Sequence, residues 1–385
     1  MADGQPLCVA STSPCDHYFK DAEWSPDGTT LLTNSADHRI RTYLLPHDLL
    51  EASSPHRLEP YSTLACGETT YATAIYPRYD LADPSTTVFL TSIRDHPIRL
   101  TSVFDSEPIV ASYSMVKPTT EAFIAPHSLL FPQTLGGTHF LAGSDSLICV
   151  FDVEHTGAAG PKSWLPTVSG RDTASMKGIV SAMASNPSGN GTLAAGTFTR
   201  RIGLYGSNGT GDCQGTWHIG NTEADREIGG RGVTQLLWSP CGRYLYAAER
   251  QSDGVIVYDI RRTASELGYL CGRKAVTNQR MRIDVVSSGS DGSHEIWAGG
   301  TDGFMRVWRD PAFSVGKKDP DAEFRVHDDA VSSTVFHSMG NSDDSDDSDD
   351  SDASDDSDDS DRSNNCLKVW SMPFLEGAEV ADDTY

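Results

Sequence analysis

Short apolar runs, broken at regular intervals by Pro/Gly/Asp turns, are the dominant pattern along this chain. Residues 232–260, GVTQLLWSPCGRYLYAAERQSDGVIVYDI, show it best. A first run containing Val233, Leu236 and Trp238 stops at Ser239-Pro240-Cys241-Gly242, a turn signal. Tyr244 to Ala248 make a second run, and a polar turn leads into Val255-Ile256-Val257-Tyr258, β-branched and aromatic as a buried strand prefers. The pattern predicts an antiparallel meander. A unit that small cannot bury both faces alone, so it must stack on neighbours.

Variants of the unit recur. They begin at Phe19, at Tyr71 (with IVASYSM, 109–115, as outer strand), at His127, at Gly178 (with 215–219 as outer strand), at Gly232 and at Met281. A seventh shows only as AVSSTVFH from Ala330 and CLKVWSMP from Cys366. These first strands recur at roughly fifty-residue spacing, slightly above the usual length of such repeats. Small sheets set around an axis leave few open edges only if the ring closes. The orphan run PLCVAST, residues 6–12, is placed to pair with CLKVWSM, completing the last blade with the two ends of the chain. The expected fold is all-β: a seven-bladed β-propeller over 1–385, its last blade closed by the N-terminal strand. Whether that blade has all four strands stays open.

Composition changes the picture at one place. Of the net charge of −24, the twelve aspartates of 343–361 account for half, leaving −12 elsewhere. The tract SDDSDDSDDSDASDDSDDSD has almost nothing apolar to offset the entropy of ordering, so 341–363 is expected to be a disordered acidic loop within the last blade, with serines suited to an acidic-directed kinase. No apolar run is long enough for a membrane span, the N-terminus lacks a secretory leader pattern, and the eight cysteines form no C-x-x-C pair. These features predict a soluble intracellular protein with reduced thiols, no metal and no cofactor.

In a propeller, the turn between second and third strands and the residues before each first strand share one rim. Asp37, Asp95, Asp145 and Asp302 each precede an apolar residue by three positions and are expected to tighten that turn through backbone amides. His38 and His96 are expected to hydrogen-bond within it. The fourth repeat has Thr199 there, followed by Arg200 and Arg201. Reading the rim off in order yields a candidate RNA-binding set of Arg94, Lys177, Arg200, Arg201, Arg231, Arg250, Asn278, Gln279 and Arg280. Arginine there forks onto phosphates and stacks on unpaired bases, which suits loop RNA. No phosphate loop and no nucleophile with a base and an orienter are present, so no enzyme and no small-molecule substrate are expected.

Several strings carry more than the meander. WSPDGTTLLTNSADHRIRTYLLP, TSIRDHPIRL, PHSLLF, GIVSAMASNP with RRIGLYG, and KAVTNQRMRID together resemble the telomerase Cajal body protein family of WD-repeat proteins, over 24–370. The resemblance implies an adaptor that binds a loop box in small nuclear RNAs and telomerase RNA in the nucleus, in Cajal bodies or nucleoplasm, beside their protein components. A divergent fungal branch with the same resemblance implies a pre-mRNA splicing factor instead. A protein-only scaffold for histones or ubiquitin-ligase substrates is the reading from another class. A fold of such nonlocal contacts is also a candidate chaperonin client.

Overall fold

The computed structural model describes residues 6–51, 54–104, 108–117, 119–168, 175–262, 265–288, 292–337 and 365–371. The acidic stretch 341–363 lies outside them. Seven antiparallel blades form a closed ring. Blade one comprises Phe19–Trp24, Thr30–Ser35, Arg39–Leu44 and Ser62–Ala65; blade two comprises Thr70–Ile75, Val88–Ile93, Ile98–Ser102 and Ile109–Tyr113. Blade three runs from Ser128–Leu130 to Ser163–Pro166, blade four from Val180–Ser185 to Cys213–His218, blade five from Val233–Trp238 to Glu266–Leu270 and blade six from Ile283–Ser287 to Ala322–Arg325.

No single core holds this arrangement. Instead seven apolar clusters lie one at each blade interface, from Phe140, Phe151 and Tyr113 between blades two and three to Trp297, Val307 and Val326 between six and seven. Second strands lie between neighbours on both sides, which is why Thr30–Ser35 and Val88–Ile93 are buried at every residue, the latter reading as a mostly apolar run. Outer strands such as Ser163–Pro166 and Ala322–Arg325 alternate, one face packed and one wet.

The seventh blade closes as the sequence predicts. Leu7–Thr12 pairs antiparallel with Lys368–Ser371, and Thr12 N–H donates to Leu367 O at 2.9 Å. Among the described residues its sheet has three strands, the outermost being His56–Leu58, which arrives from blade one and pairs parallel with Leu7–Thr12. Residues 330–337 follow the inner-strand path without regular pairing; there Ser332 Oγ donates to Phe19 O at 2.6 Å and Trp24 Nε1 to Val335 O at 3.1 Å. The parallel strand is a device that turn and period signals do not encode: the outer connection of one blade covers the edge of the blade before it. Gly316–Lys318 does the same for Glu266–Leu270. Covered edges cannot template another chain.

Candidate nucleic-acid interface

The turn between second and third strands passes through a left-handed residue in six blades. Each tip carries a left-handed residue: His38 (φ 58°), Asp95 (57°), Ser146 (54°), Arg200 (63°), Gln251 (52°) and Gly303 (81°). Turn amides bond the residue ahead of the first strand in the same blade, as in Arg94 N–H to Thr69 O at 3.0 Å, Phe198 to Ile179 at 3.1 Å and Arg250 to Gly232 at 3.0 Å. The two kinds of position thus share one rim around a mouth of the central channel.

The residue just before the left-handed one sets the charge of that rim. In blades one and six it is Asp37 and Asp302, each clamping the arginine four residues on, with Arg41 Nη2 2.5 Å from Asp37 and Arg306 Nη2 2.6 Å from Asp302. Partial burial works to raise the Asp37 pKa, but hydrogen bonds from Arg41 and Ser35 outweigh it and hold the carboxyl at about 2. Asp302 also accepts the expected amide, from Phe304 at 3.3 Å. Two of the four predicted turn aspartates behave otherwise. Asp95 occupies the tip itself, one place beyond Asp37, and its carboxylate is exposed beside Arg94 at 3.5 Å. Asp145 is exposed and accepts from the Ser146 hydroxyl at 3.1 Å. Neither carboxylate accepts a backbone amide among the described residues, and Asp37 is bonded there by side chains alone, so of the four only Asp302 makes the expected bond. In blades two and five the residue just before the left-handed one is Arg94 and Arg250, the same residue whose amide bonds the lead-in to the first strand, and this puts a guanidinium on the rim. His96 Nδ1 lies 2.6 Å from Arg94 O, whereas His38 Nδ1 is buried with no hydrogen-bond partner.

Side chains from five blades meet at the mouth. Tyr71 and His127 stack with centroids 4.2 Å apart, and His127 meets Phe198 edge-on at 6.0 Å. Arg250 lies 4.6 Å over the Phe198 ring and Arg280 5.8 Å from it. Arg280 comes from the loop before blade six and reaches blades three and four, where Nη2 donates to the carbonyls of His127 at 3.0 Å and Ser181 at 3.2 Å. Arg250 Nε donates to Arg231 O at 3.1 Å, and Gln251 Nε2 donates to Asn278 Oδ1 at 2.7 Å. Arg231, Asn278 and Gln279 are exposed beside them. Lys177 and Arg94 are exposed on the same rim, and Arg201 is half-buried; none of the three joins the aromatic cluster.

Arg200 has a different fate. Its guanidinium is held between Asp225 at 2.7 Å and Glu249 at 2.7 Å, the latter carboxylate only 1% exposed. Burial favours protonation of Glu249, but Arg200 and the Gly232 N–H, 3.1 Å away, oppose it, so the pair is best described as ionic. Helix Glu223–Ile228, capped by Thr222 on Asp225 N–H at 3.2 Å, delivers Asp225. Two of the three glycines of GGRG make room: a Cβ on Gly232 (φ 139°) would sit 2.7 Å from Phe198 O, and one on Gly230 would strike Glu249. Arg200 therefore braces the turn that presents Phe198, and does not project from it as the sequence suggested.

Of the other candidate cations only Arg94, 3.5 Å from Asp95, has a carboxylate partner among the described residues. Among the described residues Lys177, Arg201, Arg231, Arg250 and Arg280 form no ion pair with a carboxylate, in contrast to Arg41, Arg200, Arg282 and Arg306. Burial pushes the Arg280 pKa down, and the nearby charges of Arg250 and Arg282 add to this against Asp21; a guanidinium stays protonated regardless. Burial, with help from Arg280, lowers His127 to about 4, so its ring is neutral at physiological pH. The arrangement offers fixed positive charge and aromatic faces, with no carboxylate in ion-pair contact with Arg250 or Arg280 among the described residues. Tyr71, His127 and Phe198 escape sequence reasoning because they belong to three blades; only their places beside rim positions hint at them. No group of three or more His, Cys, Asp or Glu side chains capable of holding a metal exists among the described residues, and no helix there is long and apolar enough to cross a membrane.

No protein-family model matches the chain. It is 33% identical over 310 residues to guanine nucleotide-binding protein negative regulator 1 of Schizosaccharomyces pombe, covering 79% of this chain and 73% of that protein. Telomerase Cajal body protein 1 of Homo sapiens is 28% identical over 334 residues, 85% of this chain. Protein SWT21 of Zygosaccharomyces rouxii is 26% identical over 329 residues, 83% of this chain and 73% of its own length. The chain spans little more than half, 56%, of the human relative.

Proposed function

Because this chain belongs to the WD-repeat family that contains telomerase Cajal body protein 1 and the fission-yeast negative regulator, we propose that it is a nuclear adaptor that binds loop RNA of the small nuclear or telomerase class through the mouth formed by Phe198, Arg231, Arg250, Asn278 and Arg280. The observation that carries this reading is the set of rim guanidiniums left without a carboxylate on a chain of net charge −24. A half-buried guanidinium whose hydrogen bonds go to carbonyl oxygens lacks a countercharge, and a phosphate supplies it. Aromatic faces beside it favour unpaired bases, and a duplex offers none. The protein components of such RNA particles are the proposed protein partners, with a chaperonin as folding aid.

Crosslinking in cells followed by sequencing of bound RNA tests the reading. Small nuclear or telomerase RNA should be recovered, and recovery should fall with Arg250→Gln plus Arg280→Gln. A second reading rests on the name of the fission-yeast relative, which points to a guanine nucleotide-binding protein as client. Background RNA with such a protein co-purifying would favour that protein-binding role and overturn the RNA adaptor.

A further inference from the structure

The loop 272–282 hangs Arg280 over the mouth, and its own anchor is unusual. Arg273, at the start of the loop, is 1% exposed. Its Nη2 donates to Met281 O at 2.5 Å, while its Nε finds no hydrogen-bond partner among the described residues. Among the described residues it has no ion pair, and burial lowers its pKa to about 10. An unpaired buried guanidinium destabilises a fold relative to an apolar side chain of similar volume, so packing alone does not explain it.

Its surroundings show what it holds. Arg306, fixed by Asp302, donates from Nη1 to Arg273 O at 3.4 Å. The amides of Arg273 and Lys274 donate to Asp253 at 2.9 and 2.6 Å. Thr301 donates through N–H and hydroxyl to Lys274 O at 2.9 and 2.7 Å. Lys274 is left-handed (φ 58°), a conformation that persists only where neighbours impose it. The turns of blades five and six thus grip the loop's beginning, and Arg273 spans to Met281, the residue after Arg280, gripping its end.

We propose that Arg273 is a positioning residue that fixes Arg280 across the mouth, through its bond to the Met281 carbonyl and without touching the ligand. This rests on the RNA-binding reading for its consequence, though not for its structural content. Two readouts on the full chain keep them apart. The first needs no RNA: in Arg273→Met, amide hydrogen exchange should rise across 274–282 while the blades stay protected and the melting temperature does not fall. Unchanged exchange there would overturn the proposal. The second uses a fluorescent RNA hairpin with an open loop. Arg273→Met should weaken binding about tenfold and lower the salt slope by about one, as Arg280→Gln should. In the double variant the two losses should not multiply, and Arg273→Lys, which keeps a donor for Met281 O, should recover most of the affinity. Losses that multiply would contradict the proposal. Raised exchange in a protein whose wild type binds no RNA would uphold the positioning role and remove the RNA reading instead. If Arg273→Met does not fold, Arg273→Lys in wild-type and Arg280→Gln backgrounds provides the same cycle.

Discussion

Arg280 and Arg282 stand two residues apart on one segment and meet opposite surroundings. Arg282 turns toward the closing seam, where Nη1 bonds Asp21 Oδ1 at 2.9 Å and Ala22 O at 3.2 Å, and neighbouring carboxylates raise its pKa against burial. Arg280 turns toward blades three and four, meets only carbonyl oxygens, and has its pKa lowered. The seam side of the channel is crowded with acid: Asp21, Glu23 and Asp284 surround Arg282, and Glu23, Asp284 and Arg282 line a cavity of about 220 Å³ with Trp24, Val335 and Phe336. At the mouth beside Phe198 the carboxylates of Glu249 and Asp225 are taken up by Arg200, and among the described residues Arg250 and Arg280 pair with none. One type of side chain therefore does two jobs, closing the ring where a carboxylate answers it and leaving charge on offer where none does.

Removing residues 6–12 attacks the seam most directly and should have the largest effect. It deletes the strand that pairs with Lys368–Ser371 and strips Val9 and Ala10 from the cluster shared with blade one. Urea unfolding should show a loss on the order of 5 kcal/mol, comparable to the whole stability of a domain. An unchanged midpoint would mean that the ring closes without this strand. Next, Arg282→Met should cost about 2 kcal/mol by leaving buried acid uncompensated, less than a fully buried pair because Asp21 is 39% exposed. RNA binding by the folded protein should be unaffected, which separates the seam from the mouth.

Arg280→Gln should do the reverse: a change in stability within about 0.5 kcal/mol, with weaker RNA binding. A large loss of stability would place Arg280 with Arg282 as a brace. The smallest effect concerns pH. Burial raises Glu23 to about 7, against the pull of Arg282. A carboxyl with a raised folded pKa binds more protons folded than unfolded between about 4.5 and 7, so its contribution is present at the acid end and is lost as pH rises through that window. Melting temperatures of Glu23→Gln and wild type should coincide near pH 5 and diverge by pH 8 in favour of the variant. Equal curves would show that Glu23 ionises without penalty.

Much of the fold is legible in the sequence for a definite reason. Apolar runs, turn residues and repeat spacing are local signals, and each blade is local. The seam is legible too, since PLCVAST and CLKVWSM are both strands lacking a partner. What joins distant residues is hidden. Arg200 looks free until Glu249 and Asp225 arrive from the next blade and its helix, and the parallel strands His56–Leu58 and Gly316–Lys318 come from connections that carry no period. One signal was available and is instructive: Asp37 with Arg41 and Asp302 with Arg306 share a four-residue spacing that marks satisfied turns, and Arg250 breaks it.

The central claim, that the unpaired rim guanidiniums take RNA phosphate, is tested most directly by the salt dependence of hairpin-loop RNA binding in wild type and in the Arg250→Gln, Arg280→Gln double variant. Wild-type affinity should fall steeply with salt, and the double variant should lose about two from the slope, one for each contact removed. Equal slopes, or a wild type whose RNA binding ignores salt, would contradict it.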